Sequence, residues 1–452
     1  MKSYPPNESA LSELAKHPLL QAYLAQVCSH IRMKEVHDDI REELLSHLLD
    51  IIEEKIDQDG ESEEQVIQFA LIQMGDSETL GKQFNAAHKP KKDYGMIGLV
   101  AGMILFGLVT LFAVKVSLVD GLLEHKLLYA GIGIVAMFGM YFVNYRKILH
   151  FAEPLYAGTV GLMLFTLWHG VEMNGLKQWL ILPGNIAFPV FAISPYFLIT
   201  AIAGMILHDK EARSQISARR SWWITMKQII LYMGIPLALY FKSPALIPLI
   251  IYSLSLAVLL LITRQWKLLA AGICGVLLVI TYIYVLNAVQ SQYLLERHTA
   301  FLHPKSMGYY QTGRSLEAIR TAGLWGHGID AVNDRLPYRT GEFVFSYLIY
   351  SFGWVFGWCA GLLVLLFIVR MYLIGLRIKD RISRGLFISL GSILCLQLAW
   401  NVLMCLGLLP VVGLSLPIVN WSSTTIVDLA VVGYILGMYR RKDLDRTAGL
   451  IV

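Results

Sequence analysis

Charge is scarce in this 452-residue chain: Asp, Glu, Lys and Arg make up only 16%, against 56% hydrophobic residues, and the mean hydropathy is +0.56. A water-soluble protein of this length needs far more polar surface, so most of the chain must lie in lipid. Cysteine is also rare. Cys28, Cys274, Cys359, Cys395 and Cys405 form no C-x-x-C pair, and four sit in apolar runs. They read as small core hydrophobes, which leaves disulfides and cysteine metal sites out of the account. The first 90 residues are too polar and charged for a signal peptide. One local absence stands out. The stretch AFLHPKSMGYYQTGRS (300–315) has the aromatics, glycines and cations of a binding loop, yet no carboxylate lies between Glu296 and Glu317.

What is present divides in two. Residues 1–92 predict a small helical domain in the cytoplasm. Val36, Ile40, Leu44, Leu48 and Ile51 recur at helical spacing among charged residues. Gly60 closes that helix, and Ser62 with Gln65 forms a capping box for the next, which carries Val66, Phe69, Ala70 and Met74. A short helix follows Asp76. Glu43 and His47 lie one turn apart, as a metal pair or as a solvated pair on a polar face.

From Met96 onward, ten apolar runs are long enough to span a bilayer: 96–116, 127–144, 154–170, 186–207, 226–241, 244–262, 267–287, 343–370, 385–407 and 418–438. The expected fold class is therefore an all-α polytopic membrane protein of about ten transmembrane helices. Its membrane domain covers 93–442, a large loop covers 288–342, and a tail covers 443–452. Basic segments such as Lys91–Lys92, Arg146–Lys147, Arg370–Arg384 and Arg440–Arg441 alternate with cation-poor connections. By the positive-inside rule both termini lie in the cytoplasm and the long loop outside. That loop carries Arg297, Lys305, Arg314, Arg320, Arg335 and Arg339. A translocated cluster of cations points to an anionic ligand on the outer face, unless it meets headgroups or pairs with Glu296, Glu317, Asp330 and Asp334.

Three strings in the second half carry a resemblance. Arg297, Phe301, Leu302, Pro304, Tyr310, Gln311, Ser315, Ala318, Ile319, Gly323, Leu324, Gly326 and Gly328 form the first. Leu336, Pro337, Phe343, Phe345, Gly353 and Gly357 form the second. Asn401, Met404, Gly407, Leu408, Leu409, Pro410, Gly413, Leu416 and Pro417 form the third. In this order they resemble the SEDS family (shape, elongation, division and sporulation) of FtsW-, RodA- and SpoVE-like proteins, over residues 96–438. Residues 1–92, with MGDSETL, resemble the small prefix domain of bacterial permease-like proteins and imply regulation or protein contact.

The SEDS resemblance implies a peptidoglycan glycosyltransferase in the bacterial cytoplasmic membrane, polymerising lipid II, a disaccharide-peptide on undecaprenyl pyrophosphate. It also implies a single-span transpeptidase as partner. Alternatives of another class are an inactive lipid II-binding or scaffold protein and a lipid-linked precursor transporter. No cofactor is called for with certainty; a divalent cation is the one candidate. The family's loop Asp is replaced here by Pro304 or Met307, depending on where the gap falls. Losing a positioned carboxylate base costs about 10²–10⁴-fold in rate unless it is replaced. Glu342, at the mouth of the eighth span, is the expected substitute. His298, His303 and His327 are further bases in the loop. Substrate binding is expected of Lys177, Arg297, Lys305, Gln311, Arg314, Ser315, Arg320, Arg339 and Asn401. Trp421 and nearby glycines would let the chain approach the headgroup. Asp428 is an ionisable group inside the tenth span, where it needs a partner or a cavity.

Overall fold

The computed structural model describes residues 14–31, 37–59, 63–87, 93–115, 122–173, 176–183, 186–212, 218–286, 299–302, 309–329, 331 and 333–441. The chain forms two compact units, one of Asp93–Tyr439 and one of Met1–Lys92 with Arg440–Val452.

The N-terminal unit contains α1 (Pro18–Ser29), α2 (His37–Asp59), α3 (Glu63–Met74) and α4 (Ser77–Ala87). Leu20, Leu24 and Val27 of α1 share a core with Ile40, Leu44, Leu48 and Ile52 of α2 and Val66, Ile67 and Ala70 of α3. The buried face of α2 thus ends on Ile52 rather than Ile51, and Phe69 is 43% exposed. Asp76 starts α4 by accepting the Thr79 amide and hydroxyl, both at 2.8 Å. His47 is exposed, and no metal-ligand cluster exists among the described residues. Val36, Gly60 and Ser62 lie outside them.

In the membrane unit, a helix occupies each of the ten expected segments: α5 (Tyr94–Lys115), α6 (Leu122–Phe142), α8 (Ala152–His169), α9 (Val190–Ala212), α10 and α11 (Ala218–Ile229 and Ile235–Lys242), α12 (Leu246–Ile262), α13 (Trp266–Leu286), α15 (Val344–Leu376), α16 (Arg381–Cys405) and α17 (Ser423–Arg440). Short α7 (Tyr145–His150) precedes α8, and α14 (Tyr310–Thr321) lies in the long loop. Among the described residues, six helices are long and apolar enough to cross a bilayer. The shortest of the rest, α12, has 17 residues and reaches roughly 26 Å, close to a hydrocarbon core. Cys274 and Cys359 face outward from the bundle, whereas Cys405 is in its core.

Several details depart from the expected spans. Span two begins at Leu122, which brings Lys126 inside the helix. Span five contains a π-helical segment, Ile230–Gly234. Spans three and four are joined by a small antiparallel sheet, β1 (Val171–Met173), β2 (Leu176–Leu182) and β3 (Ile186–Phe188), in that order. Span ten starts only at Ser423, because Ile418 and Trp421 adopt left-handed backbone (φ 68° and 49°) in the turn before it. Asp428 finds its partner inside the bundle: the Tyr196 hydroxyl of span four donates to it at 2.8 Å and also lies 3.3 Å from Gln397 of span nine.

Span eight is broken. Gly353 has φ 84° and ψ 178°, so the helix stops and restarts there. The turn 323–328 fills the gap. His327 and Gly328 amides donate to the carbonyls of Tyr350 and Ser351 (3.0 and 2.9 Å), while Trp354 and Val355 amides donate to Gly323 and Leu324 (3.0 and 3.3 Å). Four backbone groups at the break are thereby satisfied by protein, as lipid requires. The two chains can meet so closely because Gly326 and Gly353 lack side chains; a Cβ on either would overlap the Ser351 or Leu324 carbonyl. Gly326→Ala is expected to cost about 2–4 kcal/mol, as a left-handed residue forced against a carbonyl. Gly361→Ala, which meets nothing within 4 Å, should be neutral when both are compared by thermal unfolding.

The entry to span one is latched to span eight. Asp93 caps α5 through the Met96 amide (2.8 Å) and accepts two hydrogen bonds from Arg370 Nη2 (2.8 and 2.9 Å). Its side chain is 2% exposed, that of Arg370 35%. Burial alone would raise the carboxyl's pKa, but the Arg370 guanidinium and the Met96 amide outweigh it and hold it below the usual range. A depressed carboxyl stabilises the fold above its unfolded value and loses that contribution as pH falls through the folded one. Asp93→Asn should therefore cost about 2–3 kcal/mol at pH 7. The gap between variant and parent melting points should close below roughly pH 4.

Candidate functional site

The end of the bundle that carries the long loop gathers most of the expected site. Helix α14 is amphipathic, and its Thr312, Ser315, Ala318 and Ile319 are buried. Ser315 lies 2.6 Å from the Ser346 hydroxyl and donates to the Cys405 carbonyl at 2.7 Å, which pins the helix to spans eight and nine. Its hydroxyl is thus engaged with the protein itself. The opposite face presents Gln311, half-buried, and Arg320, exposed. Arg314 sits over the Tyr310 ring (5.2 Å) and pairs with Glu317 at 2.7 Å. Arg339 pairs with Asp334 at 2.8 Å and also donates to the Asn333 carbonyl at 2.9 Å. Lys177 is exposed on β2. Arg297, His298, His303, Pro304, Lys305, Met307 and Asp330 lie outside the described residues.

Glu342 ends the turn that leads into span eight. Its backbone is held from span nine: Asn401 Nδ2 donates to the Glu342 carbonyl at 2.9 Å and to the Leu414 carbonyl at 2.6 Å. Asn401 therefore ties together the 338–342 turn and the 407–421 stretch. The Glu342 carboxylate points toward Gly413, with Oε1 3.6 Å from where a Cβ would stand. At Gly413, with φ +74°, an added Cβ would meet only this Glu342 oxygen within 4 Å.

Lys126 is the residue that sequence reasoning missed. It reads as part of a connection because the apolar run begins one residue later, yet it is 8% exposed. Its ammonium donates to the Asn420 carbonyl (2.6 Å), the Asn420 side chain (3.3 Å) and the Thr340 carbonyl (3.2 Å). Among the described residues no carboxylate lies within 4 Å of it. A buried cation without a counter-ion is costly and marks a site. The turns it joins are also strained, with Tyr338, Ile418 and Trp421 all at positive φ; such backbone costs about 1–3 kcal/mol per residue and collects at functional sites. An isolated Lys at the edge of an apolar run was the signal available.

Trp421 does not serve the expected approach to a headgroup. It is 1% exposed, and its indole N–H donates to the Gly107 carbonyl of span one at 2.7 Å. His327 stacks on Tyr350 (4.2 Å) at the helix break, away from Glu342 contacts. No group of three or more metal-ligating side chains converges among the described residues.

Lys126→Met keeps the apolar stem and removes the ammonium that donates to the Thr340 and Asn420 carbonyls. The expected loss is about 2–4 kcal/mol, read as a lower melting temperature in detergent. An unchanged midpoint would mean that the ammonium does not hold these turns.

Comparison with known proteins places this architecture. The profile of the FtsW/RodA/SpoVE family, described as a cell cycle protein, matches residues 96–443. The probable peptidoglycan glycosyltransferase FtsW of a Geobacter species is 26% identical over 369 residues, covering 77% of this chain and 97% of the relative. The peptidoglycan glycosyltransferase MrdB of Escherichia coli is 27% identical over 341 residues (72% and 88%), and the stage V sporulation protein E of Bacillus subtilis is 25% identical over 334 (70% and 86%). Among solved structures, a chain from a peptidoglycan synthase complex superposes with a TM-score of 0.61 at 23% identity, covering 78% of this chain and 98% of that one. The Thermus thermophilus rod shape determining protein RodA gives 0.53 at 21%, covering 78% and 97%. These structures share the fold, and the profile spans nearly the whole membrane unit, so the chain belongs to the FtsW/RodA/SpoVE (SEDS) family of multi-pass membrane proteins.

Proposed function

We propose that this chain is a SEDS-type glycosyltransferase that extends peptidoglycan strands from lipid II at the outer face of the membrane, with Glu342 as its base. One observation carries this reading. Glu342 is fixed through its own carbonyl by Asn401, with its carboxylate toward Gly413, and two residues from Thr340, whose carbonyl the buried Lys126 holds. In the reaction the acceptor sugar hydroxyl attacks the anomeric carbon of the donor. The new glycosidic C–O bond forms as the bond to the pyrophosphate breaks. Glu342 takes the hydroxyl proton, and the pyrophosphate leaves with its charge balanced by nearby cations. Arg320 and Lys177 are exposed for that role; Arg314 and Arg339 would have to exchange Glu317 and Asp334 for phosphate oxygens. This reading has both termini in the cytoplasm and this end outside, which the alternation of basic and cation-poor connections supports.

A second reading is a binding or scaffold protein that holds lipid II without chemistry. It is favoured by the internal pairing of Arg314 and Arg339, and by the lack of a carboxylate between Glu296 and Glu317. A single-span transpeptidase is the partner proposed for either reading, and the N-terminal unit, with Phe69 and Ile72 exposed, is proposed as a protein-contact domain.

Purified protein given labelled lipid II is expected to form glycan strands. Glu342→Gln should reduce the rate about 10²–10⁴-fold while binding persists. Binding without strands in the parent protein would leave the scaffold reading. Strands made equally well by the Gln variant would remove Glu342 from the mechanism.

A further inference from the structure

The other end of the bundle holds a polar pocket that the proposed chemistry does not use. Glu153 stands at the start of span three and Asp209 near the end of span four. The sheet joining these spans lies at their opposite ends, where Ser423, at the start of span ten, reaches the Ala187 carbonyl of β3 (2.7 Å). Span four runs twenty residues from Val190 to Asp209, about 30 Å, so pocket and Glu342 are a membrane's thickness apart.

The pocket has a volume of about 100 Å³ and is lined by Glu153, His208, Asp209, Lys227 and Gln228 over an apolar floor that includes Met205 and Leu231. Gln228, 3% exposed, donates to Asp209 Oδ2 at 2.6 Å and so aims the carboxylate with a neutral group. Two carboxylates and an ammonium thus share one cavity, and no two of them pair with each other within 4 Å. The charges are held apart, as a ligand carrying both signs would require. The ligand's setting is the bilayer interface. On α10, Trp222 and Trp223 stand side by side (5.1 Å) and are 58% and 66% exposed, and the next residue, Ile224, lines the pocket. Exposed paired indoles at the end of a span mark headgroup depth.

We propose that this pocket binds the headgroup of a zwitterionic aminophospholipid, its ammonium against Asp209 and Glu153 and its phosphate against Lys227. A cavity of this size holds about three waters, or the three heavy atoms of an ammonioethyl group, with the phosphate at its mouth beside the exposed Lys227. A purely anionic headgroup would face two carboxylates for one lysine and is disfavoured.

The test is native mass spectrometry of the full-length protein in detergent with equal amounts of phosphatidylethanolamine and phosphatidylglycerol. One retained phosphatidylethanolamine per chain is expected, preferred about tenfold or more, a difference of about 1.4 kcal/mol. Asp209→Asn should abolish the preference, and Lys227→Gln, at an exposed position where folding is not at risk, should weaken retention about fivefold or more. Equal retention of the two lipids, or a preference that survives both substitutions, would overturn the proposal. So would free phosphoethanolamine displacing the lipid at matched concentration, which would reassign the pocket to a soluble zwitterion.

Discussion

Backbone polarity has nowhere to go in a hydrocarbon phase, and the features that set this membrane unit apart from a simple bundle answer that constraint. Where span eight breaks at Gly353, four backbone groups are met by the turn 323–328. Where the chain must turn before spans eight and ten, the carbonyls of Thr340 and Asn420 are met by the Lys126 ammonium. Where the 407–421 stretch runs beside Glu342, Asn401 supplies both donors. The irregular segments that make a site possible are the ones that need partners from distant helices.

Those partners also explain how the acid is set. Asn401 and Lys126 act on backbone, so the two turns they hold fix where the Glu342 backbone stands. The strain at Tyr338, Ile418 and Trp421 is then understandable: a helix continuing through either turn would carry Thr340 and Asn420 away from the lysine. Trp421 adds the third fixture by docking on Gly107 of span one, where the indole packs against the glycine backbone.

Much of this was legible in the sequence. Long apolar runs define helices almost unaided, because each satisfies its backbone internally and each of the ten expected segments holds one. The glycines at 323, 326, 328 and 353 could be seen as motif positions, but their interlock joins segments thirty residues apart and leaves no local trace. Lys126 was hidden by a boundary error of a few residues, since an apolar run with a cation at its edge looks like a loop. The β1–β3 sheet escaped notice because its strands are three to seven residues long and two are too short to show alternation. Ser315 and Asn401 were recognisable as special positions, though only the packing reveals that their polar atoms turn inward.

The interlock of Gly326 with Gly353 bears on how the chain is assembled. Neither the broken helix nor the turn is complete alone: each leaves unpaired backbone groups that only the other can fill. Span eight cannot enter lipid as a finished helix and receive the loop afterwards at no cost. The turn that precedes span eight therefore belongs to the membrane unit's packed framework, and the span reaches its broken form only with that turn in place.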